Sequence, residues 1–174
     1  MTRAELAKKI YQISYLQGKF KLRSGTTSQE YFDKYRFESQ PALLAAIAEH
    51  LAPFIPKDTE VLAGLELGGV PIATALSLKT GLPVTFVRKK AKDYGTCQFA
   101  EGLEVKNRKV CIIEDVITTG GQVLLSTKDL RSLGAHVENV LCVIYRGKEK
   151  QEPALVELGL NMVPLFTMDQ LKNS

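Results

Sequence analysis

The sequence predicts an α/β fold, with a central parallel sheet flanked by helices and a small N-terminal hood. Two observations carry this. From residue 60 onward, short runs of Val, Ile and Leu alternate with helix-length segments, the order expected of a parallel sheet covered on both faces. Before that point, "FKLRSGTTSQEYFDKYRF" (20–37) is polar and aromatic, with a period nearer two, and reads as short irregular strands outside the main sheet. At 174 residues the chain is expected to form one domain, residues 1–174, with the hood over about 1–40.

Each element has its own signal. Thr2 and Glu5 have capping-box spacing, and Leu6, Ile10 and Ile13 recur at helical period until Gly18 can stop the helix. A second helix starts at Pro41, carries Leu44, Ile47 and Leu51, and stops at Pro53. The alternation then runs through strand "EVLAGLE", helix "PIATALSLKT" closed by Gly81, and strand "PVTFV". It continues with strand "KVCIIED", helix "GQVLLSTKDLRSLG" and strand "ENVLCVIY". The tail offers a short helix at "PALVELG" and an edge strand at "MVPLF". Residues 88–109 join two core strands without a helical stripe and exceed the roughly 12–15 residues of an ordinary connection, which suggests a functional loop.

Composition narrows the function classes. No apolar run approaches the roughly 20 residues of a membrane span, and the N-terminus has no apolar core of a signal peptide, so a cytoplasmic protein is expected. Cys97, Cys111 and Cys142 form no CxxC pair and read as free thiols rather than disulfides or a zinc site. His50 and His136 lack neighbouring ligands in sequence and read as structural. The net charge of +4 is mild, and its excess clusters in "KKIYQISYLQGKFKLR" and "RKKAK", which suits either a solvated face or a polyanionic ligand.

One string carries the chemistry. In "VCIIEDVITTGG" (110–121) a buried strand leads to Glu114 and Asp115, then to Thr118, Thr119, Gly120 and Gly121 at the start of a helix. Backbone N–H groups there, with the helix dipole and two hydroxyls, form a phosphate cradle. Carboxylates would repel a phosphate but suit the hydroxyls of a sugar. A sugar phosphate meets both demands. The bland alternative is a solvated acid pair before a glycine-rich turn. Neither GxxxxGK[ST] nor GxGxxG is in place, so other nucleotide motifs are not supported.

The same string resembles the ribose-phosphate signature of type I phosphoribosyltransferases, which use 5-phosphoribosyl-1-pyrophosphate (PRPP). "VRKKAKDYG" (87–95) resembles the mobile catalytic loop of the orotate-specific branch, and "LRSG" with "YFDKYRF" resembles its hood. The resemblance implies transfer of the phosphoribosyl group to orotate in pyrimidine biosynthesis, with release of pyrophosphate and with Mg2+ as cofactor. It implies a homodimer with shared active sites, and neither nucleic acid nor membrane as partner. It also assigns residues. Arg88, Lys89 and Lys92 would neutralise the leaving group, with Asp115 as the fourth catalytic residue. Glu114 and Asp115 would hold the ribose hydroxyls, Thr118, Thr119, Gly120, Gly121 and Gln122 the 5′-phosphate, and Val116 and Ile117 would also contact PRPP. Gly68 and Gly69 in "ELGGVPIA" and Tyr94 would face PRPP. Arg23, Tyr31, Phe32, Thr118 and Arg146 would face orotate, although Tyr31 and Phe32 fit hood core equally well. Two departures stand out: many family members carry Lys where Gly68 stands and His where Tyr94 stands. Two other functions remain open on this reading: transfer to a purine or other base, and a non-catalytic PRPP sensor.

Overall fold

The structure is a computed structural model, and it describes residues 1–22, 25–90, 98–148 and 151–174. Helix α1 (Arg3–Ser14) opens the chain, capped by Thr2, whose side chain accepts the Glu5 N–H while the Glu5 carboxylate accepts the Thr2 N–H. The helix ends four residues before Gly18. Period-two pairing takes over there: β1 (Tyr15–Lys21) forms an antiparallel hairpin with β2 (Thr27–Phe32), the hood strands expected from sequence. A turn of helix, α2 (Tyr35–Glu38), follows and buries Phe37 and Glu38. Helix α3 (Pro41–Leu51) starts at its proline and leads through a 3-10 turn (Ala52–Phe54) to the sheet.

The remaining elements are β3 (Val61–Leu65), α4 (Gly69–Thr80), β4 (Val84–Val87), β5 (Ala100–Gly102), β6 (Lys109–Ile117), α5 (Gly121–Ser132), β7 (His136–Tyr145), α6 (Pro153–Glu157), β8 (Asn161–Thr167) and α7 (Met168–Lys172). They build a six-stranded sheet in the order β5-β4-β3-β6-β7-β8. All neighbours are parallel except β5, which runs antiparallel to β4 along its edge. The fold is therefore the expected α/β architecture with a mostly parallel sheet.

Alternation along the strands builds two cores. On one face Leu62, Cys111, Ile113, Leu141 and Val143 pack with residues of α1, α3 and α4, including Leu6, Ile10, Ile47 and Leu76. On the other, Val61, Ala63, Ile112, Val140 and Cys142 pack with Val123 and Leu130 of α5 and Leu155 of α6. Burial on both faces explains the nearly continuous apolar runs. Cys111 and Cys142 are buried free thiols as the sequence suggested; Cys97 lies outside the described residues.

Candidate active site

The β6-to-α5 segment sits where parallel sheets bind ligands, beyond the carboxyl end of a central strand. The expected acid pair is not the strand's exposed tip. Strand β6 runs on to Ile117, and both acids are buried within it. Because successive strand residues point to opposite faces, Glu114 shares the side of Ile112, toward α5. Asp115 shares that of Ile113, toward α4 and the hood. One pair of neighbouring acids thus serves two different surroundings.

Glu114 lines a cleft of about 330 Å³ together with Val116, Ile117, Thr118, Thr119, Gly120, Gly121 and Gln122. Gly120 adopts a left-handed conformation (φ 68°) that turns the chain into α5, and no side chain caps that helix. A side chain there would also run into Leu155. The first amides of α5 therefore face the cleft with the positive end of the helix dipole, as an anion cradle requires. Glu66, Leu67 and Lys89 form the opposite wall, where the Lys89 N–H donates to Glu66 Oε2 at 3.0 Å.

Asp115 lies beneath this cleft in a nest that three separate segments assemble. Its Oδ1 accepts the Val116 N–H, and its Oδ2 is 2.5 Å from Lys34 Nζ. Glu38 and Gly68 close the nest: a Cβ on Gly68 would fall 1.6 Å from Asp115 Oδ2 and 2.9 Å from Glu38 Oε1. Gly69 is equally constrained, since its Cβ would sit 2.3 Å from the Ile113 carbonyl oxygen. Both glycines therefore serve close packing of the α4 start against β6, and neither lines the cleft.

The nest divides its protons unequally. Burial, then a hydrogen bond to Asp115, pushes the Glu38 carboxyl up to about 9. No hydrogen-bond partner among the described residues reaches the buried Glu38 Oε1. Burial, followed by the same kind of bond to Asp115, likewise pushes Glu114 well above the usual carboxylate range. Burial alone would raise Asp115 too, but hydrogen bonds from Glu114 and Glu38 and the Lys34 ammonium outweigh it and hold Asp115 below its ordinary value. For Lys34, burial works toward the neutral form, and the charge of Asp115 outweighs it and raises the amine. Glu38 in the nest and Glu114 in the cleft are thus shifted toward their protonated forms, and Asp115 toward its ionised form beside the Lys34 ammonium.

The other residues expected in the site are placed less uniformly. Arg88 turns away from the cleft: its N–H bonds the Phe99 carbonyl and its guanidinium lies 4.0 Å from Glu101 of β5. Tyr31, Phe32 and Arg146 line a separate cleft of about 190 Å³ with Tyr11, Tyr15 and Leu22. Phe32 also packs against the core, whereas Tyr31 is 45% exposed. The Arg146 N–H donates to the Ile117 carbonyl at 2.8 Å, which sets this second cleft beside the end of β6. Arg23, Lys92 and Tyr94 lie outside the described residues. Sequence reasoning missed Lys34, Glu38 and Glu66.

The fold and the anion cradle define a phosphoribosyl-binding protein, and residues 36–158 match the phosphoribosyl transferase domain family. An orotate phosphoribosyltransferase from a Nocardioides species is 50% identical over 168 residues, covering 97% of this chain and 93% of its own. The orotate phosphoribosyltransferase of Mycobacterium tuberculosis H37Rv, solved in complex with Fe(III) dicitrate, superposes with a TM-score of 0.85 at 31% identity, covering 97% of this chain and 98% of its own. The same enzyme in complex with PRPP superposes with a TM-score of 0.82 at 28% identity, covering 98% of each chain. The chain belongs to the orotate phosphoribosyltransferase branch of the phosphoribosyltransferase family.

Proposed function

We propose that this protein transfers the 5-phosphoribosyl group of PRPP to orotate, releasing pyrophosphate and forming orotidine 5′-monophosphate for pyrimidine biosynthesis. The observation that carries the reading is the single cleft in which the acid of Glu114 meets the uncapped start of α5, with Asp115 beneath. The 5′-phosphate occupies the cradle from Thr118 to Gln122, and the ribose hydroxyls bond Glu114 and Asp115. With its carboxyl shifted toward the protonated form by burial, Glu114 can donate as well as accept, which suits a hydroxyl.

Displacement at C1 builds positive charge on the ribose and negative charge on the departing pyrophosphate, so the protein's task is to stabilise separated charge and exclude water. The ionised Asp115 faces the first need, and Lys89 on the opposite wall faces the second. The family resemblance gives Arg88 and Lys92 the same task as Lys89, neutralising the leaving group. Among the described residues no group of three His, Cys, Asp or Glu side chains could hold a metal ion by itself, so Mg2+ would come with PRPP. The carboxyls of Glu114 and Asp115 are the nearby hard oxygen donors, and the ion would add charge neutralisation there. Orotate lies in the second cleft, its carboxylate paired with the guanidinium fork of Arg146, beside Tyr31 and Phe32; the family resemblance alone assigns Arg23 to the same task. Residues 1–40 act as the hood of a single catalytic domain in a cytoplasmic homodimer with shared sites. Among the described residues no helix is long and apolar enough to cross a membrane.

The test is orotate consumption in the presence of PRPP and Mg2+, followed at orotate's absorbance band, with adenine, hypoxanthine and uracil as controls. Loss of absorbance with orotate alone supports the reading. Turnover of a purine instead moves the protein to another branch, and no turnover with any base refutes catalysis.

A further inference from the structure

Lys34 has no place in the site as read from sequence, yet its ammonium holds the most buried charge there. It stands at the start of α2 on a well-anchored corner: the Asp33 N–H bonds the Ser14 carbonyl at 2.8 Å, and the Tyr35 N–H bonds Asp33 Oδ1 at 3.2 Å. Its ammonium sits 5.2 Å from the Tyr35 ring centroid and reaches Asp115, while its side chain remains 33% exposed to the cleft. Lys34 and Lys89 are the only cations among the described residues that line this cleft.

Gly68 gives Lys34 its significance. A Cβ at position 68 would press on the Asp115 and Glu38 carboxyls as they stand, and with glycine there the wall formed by Glu66 and Leu67 brings no cation from that position. The space is filled by the Asp115 carboxylate, and the cation beside it enters from the hood. Its anionic partner is also replaceable. Asp115 keeps the Val116 N–H whether or not Lys34 stays, and the Glu38 and Glu114 carboxyls near it are shifted toward their protonated, donating forms. A sugar hydroxyl could therefore take the Lys34 position on Oδ2 without leaving a bare buried charge.

We propose that Lys34 is a binding residue for the diphosphate of the phosphoribosyl donor: it pairs with Asp115 when the cleft is free and turns to the diphosphate when the ribose hydroxyls engage Asp115. This rests on the donor reading given above. The geometry favours the exchange because the carboxylate and the cleft lie within the sweep of one flexible side chain, and a multiply charged diphosphate outbids a single carboxylate that has other donors. Asp33, Tyr35, Glu38 and Glu114 are the remaining titratable groups around Lys34. Of these, Glu38 and Glu114 are shifted toward their protonated forms, which leaves Asp115 as the main anionic partner of the ammonium.

The experiment is calorimetric titration of the parent, Lys34→Met, Lys34→Arg and Asp115→Asn with inorganic pyrophosphate and, separately, with ribose 5-phosphate, at fixed Mg2+. Lys34→Met should weaken pyrophosphate about tenfold, the lower end for a charge-assisted contact at a partly exposed group, and shift ribose 5-phosphate less than about twofold. Lys34→Arg should recover most of the pyrophosphate affinity. Asp115→Asn, by freeing the ammonium, should leave pyrophosphate binding intact or tighter while weakening ribose 5-phosphate. Equal losses for both ligands in Lys34→Met would reduce Lys34 to a support for Asp115, and unchanged pyrophosphate binding would make it a bystander; either overturns the proposal. If the parent binds both ligands but turns over no orotate, the base assignment fails while the role of Lys34 is still decided by these titrations.

Discussion

The cradle after β6 and the nest around Asp115 lie within a few residues of each other but are built in opposite ways. The cradle is local: Thr118 to Gln122 run consecutively, and its donors are backbone amides fixed by one left-handed glycine and the start of α5. The nest is convergent: Lys34 and Glu38 come from the hood, Gly68 from the turn before α4, and Asp115 from β6. The cradle is open and neutral in its side chains, whereas the nest is closed and depends on how protons are shared. A local site tolerates side-chain change; a convergent one does not. The difference predicts how each region responds to substitution.

The largest loss is expected in the nest itself. Asp115→Asn should lower kcat/KM by roughly 10³-fold, the upper range for removing one preorganised electrostatic contact. Steady-state kinetics checks this, and a loss under tenfold would place the developing charge elsewhere. Gly68→Ala should follow, because its Cβ would fall 1.6 Å from Asp115 Oδ2. Overpacking of this kind costs about 1–3 kcal/mol, to be seen in denaturant unfolding, and the displaced carboxylate should reduce activity alongside. Parent-like stability would mean that the nest yields more easily than its packing implies.

The cradle should answer more mildly. Thr118→Ala removes one hydroxyl from a ring of amides and should raise the KM for PRPP about tenfold, with kcat changed less. An effect as large as that of Asp115→Asn would erase the contrast between the two regions.

The smallest effect has a distinctive sign. Glu38 binds its proton more tightly when folded, up to about 9, so between its ordinary value and that point the folded state holds a proton that the unfolded chain has released. The stability it contributes is full in acid and is lost as pH rises through that window. Glu114 acts in the same direction, while Asp115, held low, contributes stability that is lost as pH falls below its ordinary value. Glu38→Gln keeps a neutral donor toward Asp115 at every pH. Its melting temperature should therefore gain on the parent's as pH is raised from 5 to 9, and a constant difference would mean that Glu38 is ionised in the fold.

The same contrast explains what could be read in the sequence. Contiguous signals were legible: the Thr2–Glu5 capping box, the Pro41 helix start, Gly81 as a helix stop at φ 79°, and the order of strand, acids, glycines and helix after Val110. Elements made by tertiary pairing were not. Strand β5 is three residues long and exists through its ladder with β4, inside a stretch that looked like uninterrupted loop. Helix α2 was hidden because Tyr31, Phe32, Tyr35 and Phe37 suggest strand, although Lys34 and Glu38 have the four-residue spacing of one helix face. Helix α7 had a usable signal that went unread, the capping box of Thr167 and Gln170. Gly68 looked like a missing contact; only the approach of Asp115, distant in sequence, reveals why no side chain stands there.

The central claim is that the cleft between Glu66 and the start of α5 receives a ribose phosphate, with the phosphate on the amides of residues 118–122 and the hydroxyls at Glu114 and Asp115. A crystal structure with ribose 5-phosphate tests it most directly. The account predicts the phosphate within hydrogen-bonding distance of those amides and the 2′ and 3′ hydroxyls turned to the two acids. Density for the sugar phosphate at another surface, or bound here with its ends reversed, would contradict it.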